Sequence, residues 1–293
     1  MKKVVVAGGS GFIGSYLANR FVETGYQVLI ISRDAHHVSW KPIDLTESFE
    51  DAEMVINLAG KSINCLHNDE NKKAILDSRI NTTIWIGNAI VSCKNPPKLW
   101  INGSACGIYQ PSFDHAMTED ETELGTDFLA DVVRQWEKAF FGFKLLGTRK
   151  VALRTSVVLG RNGGALMPLL WLGRLGLGGK QAKGNQMFSW IHMEDYFRTL
   201  QYLIENNSLQ GIVNCTSPEP LPNEDFMYTL RRTLRMPIGI PAPGFAINLG
   251  AKIIGTEPDL ILNSSYVIPK RLLDSGFKFR FPDINKALAD LLK

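Results

Sequence analysis

Three glycines, Gly8, Gly11 and Gly14, recur every third residue between a short apolar run, Val4 to Ala7, and a segment whose Ile13, Leu17 and Phe21 fall at i, i+4 and i+8. The pattern is that of a buried strand, a tight turn and an amphipathic helix. Such a junction can bind phosphate without any side chain, because the free N–H groups and the dipole of the helix start favour an anion. Gly8 admits a turn dihedral that a Cβ resists, Gly11 lets backbone come close to a ligand, and Gly14 lets the helix pack tightly on the strand. A dinucleotide held there would reach the end of a second strand, Gln27 to Ile31, where Ser32 and Arg33 stand. An acidic residue at that place would bond the ribose hydroxyls and repel a 2′-phosphate, whereas a hydroxyl and a guanidinium suit the phosphate. NADP is therefore expected in preference to NAD, although Asp34 follows directly and Arg33 has the alternative of being a solvated loop charge.

The spacing is G-x-x-G-x-x-G, with Phe12 and Ile13 between the last two glycines. This pattern resembles the extended short-chain dehydrogenase/reductase superfamily, the group that contains the sugar-nucleotide epimerases and dehydratases. The resemblance implies an α/β fold, a Rossmann-type doubly wound parallel sheet with a smaller, mostly helical C-terminal substrate lobe. It places Gly8, Ser10, Gly11, Phe12, Ile13 and Gly14 on the cofactor. It implies that Asp44 and Leu45, after a short third strand, lie beside the adenine. Asn57-Leu58-Ala59-Gly60 matches the N-x-A-G turn below the diphosphate, so Leu58, Ala59 and Gly60 are further contacts. Asn81, in a helical region from Asp69 to Cys93, takes the usual asparagine position, with core packing as its alternative. A strand from Lys98 to Asn102 delivers Ser104, which in related enzymes bonds the substrate oxygen that gains or loses a proton. A turn-capping hydroxyl is the other reading of Ser104.

The superfamily's acid/base pair, Y-x-x-x-K on one helix face, is missing. Aligning Glu137 to the glutamate that often ends this motif puts Val133 at the lysine position and Leu129 at the tyrosine position. No tyrosine occurs between Tyr109 and Tyr196. Leu129, Val133, Trp136 and Phe140 instead form an apolar stripe of the kind that faces a core. Phe128-Leu129-Ala130, Trp136-Glu137, Trp190-Ile191-His192 and the runs Val267 to Leu273 and Gly276 to Pro282 are similar to an atypical branch. These are the epimerase family proteins of bacteria and organelles, in which the pair is generally absent and the reaction unassigned. The likeness covers essentially the whole chain. It departs at Ile108-Tyr109-Gln110, where Tyr-Tyr-Gly is usual, and this leaves Tyr109 as the phenol nearest Ser104 and a second catalytic candidate.

The 293 residues suffice for a nucleotide-binding domain over 1–160, to which 191–215 returns, and a substrate lobe with a C-terminal module over 161–293. A net charge of +3 without a dense basic tract gives no support to nucleic-acid binding and suits a small, anionic substrate. Lys270 and Arg271 either face such a substrate or are merely solvated. His192 is a possible general base, but the resemblance implies that it and Asp195 organise a strand-to-helix junction. Four dispersed cysteines suggest neither a metal site nor disulfides, and no apolar run is long enough to span a membrane. With the first strand starting after Lys3, a cytoplasmic location is expected. Monomer and dimer are both open. Two functions compete: an NADP-dependent oxidoreductase or epimerase acting at a hydroxyl or carbonyl carbon, and a weakly active or inactive NADP-binding protein that senses redox state or engages a partner.

Overall fold

A computed structural model describes residues 1–293. The chain runs β1 (Lys3–Ala7), α1 (Phe12–Glu23), β2 (Gln27–Ile31), α2 (Pro42–Phe49), β3 (Met54–Asn57), α3 (Asp69–Ser92) and β4 (Leu99–Ala105). It continues through α4 (Phe128–Phe141), β5 (Arg149–Thr155), β6 (Val157–Leu159), α5 (Leu166–Arg174), β7 (Met187–Phe188), β8 (Trp190–His192), α6 (Met193–Glu205) and β9 (Gly211–Cys215). The last part holds β10 (Leu221–Pro222), α7 (Asn223–Thr233), α8 (Gly244–Ile254), α9 (Asp259–Leu262), α10 (Lys270–Asp274) and α11 (Ile284–Leu291).

Six strands form one parallel sheet in the order β2-β1-β3-β4-β5-β9. Parallel neighbours need long crossovers, and helices that make them cover both faces. The side chains of β1 alternate accordingly. Val4 and Val6 pack with Leu17 and Phe21 of α1 and Phe197 of α6, while Val5 and Ala7 pack with Phe49 of α2, Ile86 of α3 and Phe140 of α4. Val4, Val5, Val6 and Ala7 are completely buried, and each valine contributes about 1.5–3 kcal/mol by leaving water. From β1 the chain moves outward to β2 and returns on the other side of β1 as β3, so a crevice opens where the connections diverge, at the carboxyl ends of β1 and β3.

The expected third strand is not formed. Only Val38 pairs with the sheet, through a single bridge to Ile31, and Pro42 then opens α2, a position its fixed φ suits. Asp44 and Leu45, expected after that strand beside the adenine, therefore lie in the first turn of α2. Leu45 is buried in the core beside Phe49, and the Asp44 carboxylate accepts a hydrogen bond from the Ser39 hydroxyl.

Strand β9 pairs with β5, which brings a late segment back to the sheet. A second core lies outside it, where Leu166 and Leu170 of α5 meet Trp190, Phe226, Leu230 and Leu288. No helix is long and apolar enough to cross a membrane.

Candidate functional site

The glycine turn joins β1 to α1. Gly8 has φ +78°, and a Cβ there would lie 2.9 Å from the Ala59 backbone nitrogen. At Gly14 a Cβ would lie 2.4 Å from the Gly8 carbonyl oxygen, so only glycine lets α1 approach the turn. Gly11 differs: a Cβ would meet only the Gly8 oxygen, at 3.3 Å, and otherwise open space. Helix α1 begins without a side-chain cap or an acidic residue in its first turn, which leaves its leading N–H groups directed at the crevice.

That crevice encloses about 650 Å³. Gly8, Gly11, Phe12, Ile13, Gly14, Leu58 and Gly60 line one end, and Ser104, Tyr109, Leu129, Val133 and Trp136 line the other. The Asn57–Gly60 turn is held by buried amides: Asn57 Oδ1 accepts from the Ala59 N–H at 3.1 Å, and Asn57 Nδ2 donates to Asn102 Oδ1 at 2.8 Å. Two of the expected contacts, Ser10 and Ala59, stand beside the wall without lining it. Asn81 is a clear correction, since it lies on the solvent side of α3. The position that faces the crevice is Arg79.

Ser32 and Arg33 lie past the end of β2. The Ser32 hydroxyl is 2.8 Å from His37 Nδ1 and accepts from the Asp34 N–H at 2.9 Å, and Arg33 is exposed. The Asp34 carboxylate accepts from the His36 N–H at 3.0 Å, which ties it into its own loop.

Ser104 sits near the end of β4, and its hydroxyl donates to Glu137 Oε1 at 2.6 Å. Glu137, on α4, is gripped by Arg154 of β5 through Nε and Nη2, both at 2.9 Å. Arg154 Nη1 donates to the Tyr109 hydroxyl at 2.9 Å, and that hydroxyl donates to Asn214 Oδ1 of β9 at 2.8 Å. Every member of this chain is buried. Tyr109 is therefore not a free phenol beside Ser104: its oxygen is fully engaged, and burial pushes its ionisation up. The network went unrecognised in the sequence because its members come from separate strands, a helix and a loop. The conspicuous signal was the Trp136-Glu137 pair, whose polar member interrupts an otherwise apolar stripe.

The stripe itself is as expected. Val133, Trp136 and Phe140 are buried, and Leu129 is half-buried on the crevice wall. His192 caps α6, its Nδ1 accepting from the Glu194 N–H at 3.0 Å, and stacks on Phe281. Burial pushes this imidazole down to about 4. Asp195 accepts from the Arg280 and Phe281 N–H groups, both at 2.7 Å, which anchors the C-terminal module. Both residues thus serve the junction. Lys270 pairs with Asp120 and Asp274, and Arg271 donates to the carbonyls of Gln210 and Ile212, so both are occupied within the fold.

A parallel sheet with a glycine turn at its switch point and a crevice running to Ser104 defines a Rossmann-type α/β protein. Residues 4–129 match the NAD dependent epimerase/dehydratase family, and residues 242–291 match a domain of unknown function, DUF1731. An epimerase family protein of Staphylococcus saprophyticus is 35% identical over all of both chains. The mouse epimerase family protein SDR39U1 is 36% identical over 99% of each. The chain belongs to this family of epimerase family proteins. Its fold matches a crystal structure of human SDR39U1 (isoform 2) with NADPH at TM-score 0.90 and 33% identity, covering 99% of this chain and 98% of that one. A nucleoside-diphosphate sugar epimerase from Corynebacterium glutamicum matches at TM-score 0.80 and 28% identity, covering 99% of this chain and 58% of that one.

Proposed function

We propose that the protein binds NADP(H) in this crevice and acts as an oxidoreductase or epimerase-like enzyme on a hydroxyl or carbonyl carbon of a small substrate. The observation that carries this reading is the glycine turn, closed by packing at Gly8 and Gly14 and open at Gly11, from which one continuous wall runs to Ser104. The NADPH in the human SDR39U1 structure supports it. Ser32 and the exposed Arg33 suit a 2′-phosphate, and Asp34 is turned into its loop. When bound, the nicotinamide supplies hydride exchange. Because the Ser104 proton is directed at Glu137, this hydroxyl offers its lone pairs to the ligand and orients a substrate hydroxyl by accepting from it. Residues 161–293 complete the substrate side.

A second reading, a weakly active or inactive NADP-binding protein, is favoured by one observation: Leu129 and Val133 put an apolar surface where the acid/base pair would stand. Anaerobic mixing of the protein with NADPH and a panel of carbonyl compounds and nucleotide sugars separates the two. Turnover that is lost in Ser104→Ala supports the enzyme. Tight NADPH binding without turnover of any panel member supports the binding protein.

A further inference from the structure

We propose that the outward face of α8, with the two chain runs that lead up to it, docks the protein on the surface of an anionic lipid bilayer without crossing it. The proposal is independent of the crevice and of the chemistry assigned there.

Helix α8 is apolar on every side. Of its eleven residues, Asn248 and Lys252 alone carry polar side chains. Ile247 and Ala251 are turned inward and buried. Phe245, Leu249 and Ile253 recur at i, i+4 and i+8 along the outward face. They are 76%, 61% and 78% exposed, with Ile254 beside them at 79%. A helix that is apolar all round belongs in a core or a bilayer, yet this one covers the protein with one stripe and leaves the other in water.

The apolar surface continues past the helix start. Residues 176–182 run beside 238–242: the Ile240 N–H donates to the Gly176 carbonyl at 2.8 Å, and the Ala242 N–H to the Lys180 carbonyl at 3.0 Å. Ile238 and Ile240 on one run, and Leu175 and Leu177 on the other, are exposed as well. Trp171, one turn before Leu175, is also exposed. Soluble monomers rarely leave so much connected apolar surface in water, and a patch of this kind marks a docking site.

Charge selects the occupant. Residues 162–193 and 226–256, which contain α5, both runs and α8, include no aspartate or glutamate. Their exposed charged side chains are Arg174, Lys180, Lys183, Arg232, Arg235 and Lys252. Acidic residues stand only at the margins: Glu224 and Asp225 in the first turn of α7, Glu257, which accepts from the His67 N–H, and Asp259 on α9. A second copy of the chain would set the same cations against one another across a two-fold interface. Anionic headgroups instead neutralise them, while the Phe245–Leu249–Ile253 stripe enters the acyl boundary and Trp171 suits the headgroup level.

Flotation of the full chain with vesicles of phosphatidylcholine, and with vesicles of phosphatidylcholine and phosphatidylglycerol in equal parts, tests the proposal. Affinity for the mixed vesicles should exceed that for phosphatidylcholine by about tenfold or more and should fall as salt is raised. Phe245→Ser with Ile253→Ser should lose about tenfold on the mixed vesicles, because the stripe no longer inserts. Lys180→Gln with Lys252→Gln alters only exposed positions, keeps the stripe and should lose about threefold or more, and it answers the question if the serine variant does not fold. Circular dichroism melting that matches wild type shows that a loss comes from the surface. Absence of wild-type binding to the mixed vesicles, equal binding to both vesicle types, or binding that survives both variants overturns the proposal. Sedimentation equilibrium that finds a dimer dissociated by Phe245→Ser with Ile253→Ser, in a protein that ignores vesicles, gives the face to a second copy and overturns it too.

Discussion

The Ser104 hydroxyl lies 2.6 Å from Glu137, at the start of a buried chain that runs through Arg154 and Tyr109 to Asn214 on the last strand of the sheet. The candidate catalytic hydroxyl is thereby coupled to the packing of β4, α4, β5 and β9 rather than to an acid/base residue standing free in the crevice. Its proton has a fixed partner, so the usual role of a serine that donates to a substrate carbonyl is not available while Glu137 is ionised.

Removing one partner of the central ion pair is expected to destabilise the protein strongly. Glu137→Leu leaves Arg154 buried and unmatched and should cost about 3–5 kcal/mol, whereas Glu137→Leu with Arg154→Met should recover a large part of the loss. Urea denaturation of both variants measures the difference. A double variant no more stable than the single one would show that the pair itself, not the orphaned charge, sets the cost.

NADPH should bind more tightly than NADH, because the 2′-phosphate gains about 1.5–3 kcal/mol from a charge-assisted bond to Arg33. Arg33→Ala should weaken NADPH and leave NADH nearly unchanged. Calorimetric titration of both cofactors checks this, and equal wild-type affinities contradict it.

Gly11→Val and Gly14→Val should fail differently. The side chain at 11 enters the open side of the turn, so dinucleotide binding should vanish while circular dichroism stays native. At 14 the Cβ would collide with the Gly8 carbonyl at 2.4 Å, and folding itself should suffer. Wild-type NADPH affinity in Gly11→Val would place the cofactor elsewhere.

His192 should make stability fall as the solution is acidified. Burial lowers its folded value from 6.5 to about 4, so between those limits the unfolded chain binds the extra proton. Stability is therefore full above about pH 6.5 and is lost as pH drops toward 4, by up to about 3 kcal/mol. Asp195 and Glu119, raised by burial, act in the opposite sense below the His192 window and into it. The contribution of His192 is accordingly read as the difference between wild type and His192→Gln in denaturant titrations from pH 7 to 4. Parallel curves would refute it.

Restoring the absent pair should not create an epimerase. In Leu129→Tyr with Val133→Lys the new ammonium replaces a side chain that is 4% exposed, and burying it unmatched costs several kcal/mol. The double variant should melt earlier and show no gain in NADPH-coupled turnover of nucleotide sugars. A rise of tenfold or more would mean that the two residues alone limit the chemistry.

The chain's one-dimensional pattern determined the glycine turn, the strand that precedes it, the helix that follows and the returning strand near Gly211, because dihedral freedom and hydrophobic period are encoded within a few residues. It determined as firmly that the Tyr-Lys pair is missing, since an absence needs no coordinates. Helix phase was less legible. Asn81 and Arg79 are two residues apart, about 200° around α3, and only packing against Gly60 and Trp136 decided that the arginine faces the crevice. Leu45 likewise went to the core once Pro42 began a helix where a strand end was expected. The Ser104–Glu137–Arg154–Tyr109–Asn214 chain was decided by tertiary structure alone, because the parallel sheet brings together residues up to 105 positions apart in sequence, and a buried polar group takes whichever partner the packing puts within reach.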